Sequence, residues 1–338
     1  MKPDSKPMEK TQRSDALPVA LAQIAPVLLD RDATLSKVVA RTEEAAADGA
    51  RLVCFGEALV PGYPVWLDRA DGARFDSSLQ KRLHARYLEQ AVDIEAGHLD
   101  RVRTVAEQRD VHVVLGVAER ARDRGGKTLY CSRVVIGPGG EILSVHRKLM
   151  PTYEERLAWG AGDGAGLVVH AVGAFRLGAL NCWENWMPLA RAALHARGED
   201  LHVALWPGAV RNTQPITRFL ALEGRSYCLS VSSLLRGADV PADVPHRDAF
   251  VGDDAEWICD GGSCVAGPDG EWLVEPVART EGLIHASLDP QRILEERQNF
   301  DPAGHYARPD VLRLVLDDRR QGVLSVACSR SAWPKPRE

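Results

Sequence analysis

The chain has 338 residues, 45% of them hydrophobic and 26% charged, with a formal net charge of -5. That composition holds enough apolar material for a large core, leaves no basic footprint for nucleic acid, and shows no block of like charge that reads as an interaction tail. Its seven cysteines are odd in number, scattered and mostly inside apolar runs, and no C-x-x-C pair occurs, so they read as reduced thiols and not as a disulfide framework or a zinc site.

Residues 1–16, MKPDSKPMEKTQRSDA, are polar and lack the apolar stretch of a signal peptide. They read as a disordered leader, with the cytoplasm as default compartment. No apolar run nears the ~20 residues that span a bilayer, so no membrane association is expected. LPVALAQIAP (17–26) reads as a buried strand. From Asp32, apolar and small residues at Leu35, Val38, Val39, Thr42, Ala45 and Ala46 share one helical face, and Gly49 stands where a C-cap glycine belongs. RLVCFGE (51–57) is again a buried strand, ending at a glycine and a carboxylate. Strand, helix, strand in forty-one residues means an α/β arrangement.

Two amphipathic stretches near 78–92 and 98–110 read as helices. VHVVLGVAE (111–119) and LYCSRVVIG (129–137) read as strands, and PGGE (138–141) turns the chain into EILSVHRK as a hairpin. LVVHAVG and FRLGALNC (175–182) are further strands, followed by a helix opening near Asn185. LHVALWP (201–207) is a strand, a helix starts near Thr213 with Pro215 in its first turn, and CLSVSSLL (228–235) is a strand. Residues 236–260 are acidic, proline-containing and unpatterned, which reads as a long loop or flap. Two strand–turn units around 267–271 and 282–289 and a short helix at 290–297 lead into a tail. With no repeat or linker to split it, the chain reads as one domain over 17–310 and a C-terminal tail over 311–338. Strands that adjoin through hairpins exclude a purely parallel sheet, so two sheets between helical layers is the expected picture.

Three chemically able side chains fall at strand ends, where α/β folds gather their sites. Cys182 ends FRLGALNC and precedes a helix, whose N-terminus favours a thiolate, while the backbone N–H of Trp183 is placed to bind an oxyanion. The competing reading is one more buried cysteine. Glu57 follows four apolar residues and a strand, and is either a solvated loop residue or a desolvated base with a raised pKa. Lys148 ends EILSVHRK on one face with His146 and Ile142; taken alone it reads as a solvated strand-end lysine. Glu154 and Glu155 lie just beyond it. Cys54 and Cys131 read as core thiols whose replacement touches stability and not chemistry. No H-E-x-x-H, G-x-S-x-G or Walker loop is present, and the glycines of GAGDGAG (160–166) precede a strand instead of joining strand to helix.

Together FGEALVPGYP (55–64), HRKLMPTYEERLAWGAGDG (146–164) and NCWENWMPLAR (181–191) resemble the nitrilase superfamily, the carbon–nitrogen hydrolases, and most closely its nitrilase branch. VALAQIAP near the start, LHVALWPG (201–208) and GHYARPD (304–310) extend the resemblance over about 17 to 310. The resemblance implies a four-layer αββα sandwich and a catalytic set of Cys182, Glu57 and Lys148, with the family's second glutamate at Glu155 and Glu154 as its variable neighbour. It implies hydrolysis of a small-molecule nitrile to the carboxylic acid and ammonia through a thioimidate on Cys182, with Glu57 as general base and Lys148 stabilising the intermediate, and no metal or cofactor. An amidase or carbamoylase with the same triad, or a cyanide-degrading enzyme, is the alternative, and a catalytically silent scaffold is disfavoured by the intact residues.

Tyr63, Trp66, Trp183, Trp186 and Trp206 lie near the catalytic residues in sequence and read as pocket lining or as core packing. By the same resemblance the chain is expected to form a homodimer or a larger spiral homo-oligomer, with the apolar alternation of VLRLVLDD (311–318) and the strand-like GVLSVA (322–327) at an interface. A monomer with a folded-back tail is the alternative.

Overall fold

β1 (Leu17–Gln23) is buried on both faces, and its residues divide cleanly between two cores. Val19 and Leu21 point to one, Ala20 and Ala22 to the other, as the two-residue period of a strand requires. α1 (Arg31–Ala47) follows, its first turn capped by Asp30, which accepts from the Ala33 N–H at 2.9 Å. It buries Leu35, Val38, Thr42 and Ala45, and Gly49 just past its end has φ +93°. β2 (Leu52–Phe55) repeats the division of β1: Val53 and Phe55 face the helices, Leu52 and Cys54 the opposite core.

The chain continues through the single turn α2 (Trp66–Arg69), α3 (Ser78–Gln90), α4 (Asp100–Arg109), β3 (His112–Ala121), β4 (Thr128–Ile136) and β5 (Ile142–Arg147). The second half holds β6 (His170–Val172), β7 (Phe175–Asn181), α5 (Pro188–Ala196), β8 (Leu201–Trp206), α6 (Val210–Gly224) and β9 (Tyr227–Ser232). It ends with β10 (Leu234–Arg236), β11 (Trp257–Ala266), β12 (Trp272–Ala278), β13 (Gly282–Leu288) and α7 (Pro290–Glu296). The computed structural model describes residues 16–323. The expected leader at 1–16, except Ala16, and all but the first two residues of 322–327 lie outside the described residues.

One sheet has the order β13-β1-β2-β3-β4-β5 and the other β10-β11-β9-β8-β7-β6, with β12 paired to β11. Both are mixed: β1–β2–β3 and β7–β8–β9 run parallel, while β4–β5 form the expected hairpin and β3 joins them in an antiparallel meander. Between the sheets lies a core that includes Leu21, Val114, Leu177, Val203, Leu229 and Val265. α1 and α4 cover the outer face of the first sheet, and α5 and α6 that of the second. The architecture is thus a four-layer αββα sandwich, whose central strands β2, β8 and β9 read as continuous apolar runs because neither face meets water. Among the described residues no helix is long and apolar enough to cross a membrane.

The structure departs from the sequence reading in four places. The helix expected near Asn185 is a 3₁₀ turn, Cys182–Trp186, and α5 begins only at Pro188. α6 begins at Val210 instead of Thr213, which puts Pro215 in its interior; the side chain of Asp260, fifty residues on, accepts the Val210 N–H at 3.2 Å and caps the turn, a signal no local pattern carries. The 236–260 segment is packed: Val240, Val244, Phe250 and Val251 are buried against Trp66 and Tyr87, and its last four residues open β11. The single strand read at 228–235 breaks at Ser233 into β9 and β10. The tail lies along its own chain, where Arg320 bonds Asp163 at 3.0 Å and Arg197 meets Asp318 at 3.2 Å.

Candidate active site

Glu57, Lys148 and Cys182 stand at the ends of β2, β5 and β7, where the two sheets meet a third apolar cluster built from α2, α3 and the 236–256 segment. Close backbone approach brings them together. A Cβ on Gly56 would lie 2.3 Å from Ser233 Oγ and 2.8 Å from the Trp206 carbonyl oxygen, so only glycine lets the end of β2 reach the second sheet. The Glu57 N–H then donates to the Trp206 carbonyl at 3.1 Å. Lys148 is seated by its own N–H, which donates to the Cys131 carbonyl at 2.8 Å.

Glu57, Lys148 and Glu155 are essentially inaccessible to solvent. Lys148 Nζ donates to Glu57 Oε1 at 2.8 Å and to Glu155 Oε2 at 2.7 Å, so one ammonium joins two buried carboxylates. Glu155 belongs to the short 3₁₀ turn Tyr153–Leu157. Its Oε2 also accepts the Thr152 N–H at 2.6 Å, and its Oε1 accepts the Tyr63 hydroxyl at 2.8 Å. A Glu57 oxygen, a Glu155 oxygen and the Cys182 sulfur all lie within 4.8 Å of one another. Two carboxylates and a thiol at that spacing are also what a cation needs, but the Lys148 ammonium already holds both carboxylates, and its charge opposes a metal ion there.

Cys182 adopts φ +46°, a left-handed conformation uncommon outside glycine, at the turn out of β7. Its neighbours hold that turn. Asn185 Nδ2 donates to the Cys182 carbonyl at 2.8 Å, and Asn185 Oδ1 meets His202 Nε2 at 2.7 Å. Glu184, fully buried, accepts the Asn181 N–H at 3.0 Å, the Leu149 N–H at 2.6 Å and a contact from His146 Nε2 at 2.9 Å. The sequence motif after Cys182 is therefore a clamp joining the Cys182 turn to the residue that follows Lys148.

The electrostatics differ from the sequence expectation at the thiol. Burial raises the Cys182 pKa well above its usual value and the charge of Glu57 adds to the rise; Lys148 and the Trp183 N–H pull the other way without prevailing. The helix thought to favour the thiolate starts six residues later, too far to act within one turn. Burial likewise lifts Glu57 to about 7, against the attraction of Lys148. Burial works against the charged form of Lys148, but the carboxylates of Glu57 and Glu155 outweigh it and hold its pKa well above the usual lysine range. The site at rest thus holds a neutral thiol, a carboxyl poised near neutrality and a fixed ammonium.

Cys182 opens on a cavity of about 660 Å³. Of the aromatic residues singled out from sequence, Tyr63 and Trp183 line it. Trp206 does not: it is fully buried beside Cys182 in the core under α6, its Nε1 donating to Ser230 Oγ at 3.2 Å. Trp186 lies outside the lining, 6.2 Å from the Trp183 ring and 41% exposed, and Trp66 is core. The sequence reading missed Trp257, Arg211 and Asp260, which also line the cavity. Trp257 was hidden inside the presumed flap. Cys131, read as a core thiol, touches the site directly, its Sγ 3.3 Å from Glu57 Oε1.

A family model described as carbon–nitrogen hydrolase matches residues 18–298. Similar curated proteins include an aliphatic nitrilase of Rhodococcus rhodochrous, 35% identical over 89% of this chain and 79% of that one. A bifunctional nitrilase/nitrile hydratase of Lupinus angustifolius is 36% identical over 88% of this chain and 85% of its own. An arylacetonitrilase of Aspergillus kawachii is 34% identical over 90% of this chain and 93% of its own. Among solved structures, an amidase of the nitrilase superfamily from Nesterenkonia superposes with a TM-score of 0.62 at 20% identity, covering 85% of this chain and 95% of that one, which is a likeness of fold.

Proposed function

Because the chain belongs to the carbon–nitrogen hydrolase family, we propose that it is a nitrilase, hydrolysing a small organic nitrile to the carboxylic acid and ammonia. The observation that carries this reading is the Lys148 ammonium held between the buried carboxylates of Glu57 and Glu155, with Cys182 within 4.8 Å of both acids. Relatives named for aliphatic nitriles, arylacetonitriles and nitrile hydration support nitrile over amide as the substrate.

The geometry suits a sequence of proton transfers. Glu57 takes the thiol proton as Cys182 sulfur attacks the nitrile carbon, and that proton passes to the nitrile nitrogen to give a thioimidate. Lys148 and the Trp183 N–H stabilise negative charge as it develops on nitrogen or oxygen. A water deprotonated by Glu57 adds to the thioimidate carbon, the tetrahedral species expels ammonia, and an acyl-enzyme remains on sulfur. A second water releases the acid and returns the proton to Cys182, so that one nitrile and two waters give one acid and one ammonia. Glu155 orients Lys148 throughout and keeps its proton in place.

The test is ammonia release from aliphatic, aromatic and arylaceto nitriles beside the corresponding amides. Release from nitriles supports the reading; release from amides alone moves the chain to amide hydrolysis with the same residues. A second copy of the chain is the proposed partner, because Leu189 on α5 and Phe219 and Leu222 on α6 leave large apolar side chains exposed on the outer layer.

A further inference from the structure

Glu57 has two carboxylate oxygens with different surroundings. Oε1 accepts Lys148 Nζ at 2.8 Å and the Cys131 thiol at 3.3 Å, whereas Oε2 is buried and has no partner among the described residues. A buried carboxylate oxygen without a donor is costly, and its lone pairs are free to accept a proton. Cys131, on β4, meets the site twice, since its carbonyl also accepts the Lys148 N–H at 2.8 Å.

We propose that Cys131 is a positioning residue for Glu57, its S–H holding Oε1 so that Oε2 is presented to the Cys182 thiol. The inference rests on Glu57 being the base of the proposed reaction. A thiol suits the task because it is a weak donor: it fixes the rotation of the carboxylate without stabilising its charge enough to quench a base. The donor is permanent, since burial and the neighbouring Glu57 charge both keep the Cys131 proton on sulfur. The other groups facing Glu57 are Lys148 at the end of β5, Glu155 in its 3₁₀ turn, Cys182 after β7, and the hydroxyls of Tyr63 and Tyr87. None of these but Lys148 donates to Oε1.

The experiment follows alkylation of Cys182 by iodoacetamide against pH, resolved from other cysteines by peptide mass spectrometry, in the full chain and in C131A, C131S, C131V and the core control C54A. This readout needs no nitrile. Loss of the donor destabilises the Glu57 carboxylate, so C131A and C131V should move the acidic midpoint upward by roughly half a pH unit or more. C131S, which keeps a donor, should return it toward the wild-type value, and C54A should leave it in place. An unmoved midpoint in C131A overturns the proposal. So does a shift in C131A that C131S fails to reverse, because it would report lost volume and not a lost donor. If C131A does not fold, C131S against C131V decides in the same way, equal midpoints counting against the proposal. A shift of this kind in a protein that releases no ammonia from nitriles would retire the substrate reading and leave the positioning role standing.

Discussion

The carboxylate of Glu184 accepts the backbone N–H of Leu149 at 2.6 Å, and through it the turn that carries Cys182 is fastened to the strand end that carries Lys148. Its second oxygen takes the Asn181 N–H at 3.0 Å, so one buried side chain spans the two sheets at the site. Its charge is favoured there: burial opposes ionisation, but His146 and two backbone N–H groups hold its pKa below the usual glutamate value.

Glu184→Gln turns an acceptor into a donor facing another N–H. We expect kcat to fall ~10- to 100-fold with a smaller change in KM, and stability to drop by about 1–3 kcal/mol, the cost of a buried donor left unpaired. Steady-state kinetics beside thermal unfolding measure both. Unchanged kcat in a destabilised variant would show the clamp to be structural only.

Cys182→Ala should abolish turnover while leaving the melting temperature near that of the wild type, since alanine fills most of the same space. Cys182→Ser should be nearly inactive, because the proposed base is far too weak for a hydroxyl buried in the same place. Appreciable ammonia release by the alanine variant would end the covalent proposal.

As the proposed base, Glu57 must be ionised to accept the thiol proton, and burial lifts its pKa to about 7. The ionised fraction shrinks as pH falls through that value, so kcat/KM should drop below about pH 7 and level off above it. The limb belongs to the coupled Glu57–Lys148–Glu155 group and not to one residue. A profile flat down to pH 5 would contradict a base of this kind.

Glu155→Gln leaves Lys148 with one charged partner instead of two. A loss of roughly 10²- to 10³-fold in kcat is expected, in line with removing an interaction that fixes a charge-stabilising group. Tyr63→Phe removes only the 2.8 Å hydroxyl donor to Glu155 and should cost about tenfold or less. The order of the two effects, read from kcat, is the check.

A chain ending at Asp310 loses the Arg320–Asp163 and Arg197–Asp318 pairs and the contact of Leu316 with the α5 cluster. The exposed Arg197–Asp318 pair contributes little, but the buried Asp163 loses both the Arg320 guanidinium and the Gln321 N–H, so a clear fall in melting temperature is expected. Size-exclusion chromatography then assigns the interface: an unchanged oligomer would place it on α5 and α6, and dissociation would place it on the tail.

Much of this site is written along the chain. Apolar runs on β1, β2, β7 and β8 announce strands covered on both faces, because burial alone dictates their composition. Glu57, Lys148 and Cys182 stand out as polar residues at the ends of such runs, and the helical period of α1 is visible because one face meets the core. Two sheets between helical layers were therefore legible before any coordinates, while the αββα class and the Glu, Lys, Cys set came from the resemblance to the carbon–nitrogen hydrolases. What only the tertiary structure decided is which atoms meet. Lys148 lies between two carboxylates, Cys131 rests on Glu57, Trp206 turns into the core while Trp257 lines the cavity, and Asp260 caps a helix fifty residues away. The resting charge of Cys182 belongs with these, because desolvation and Coulomb interaction act through space. Periodicity reports which side of an element is buried; it carries no record of which distant group will share that burial.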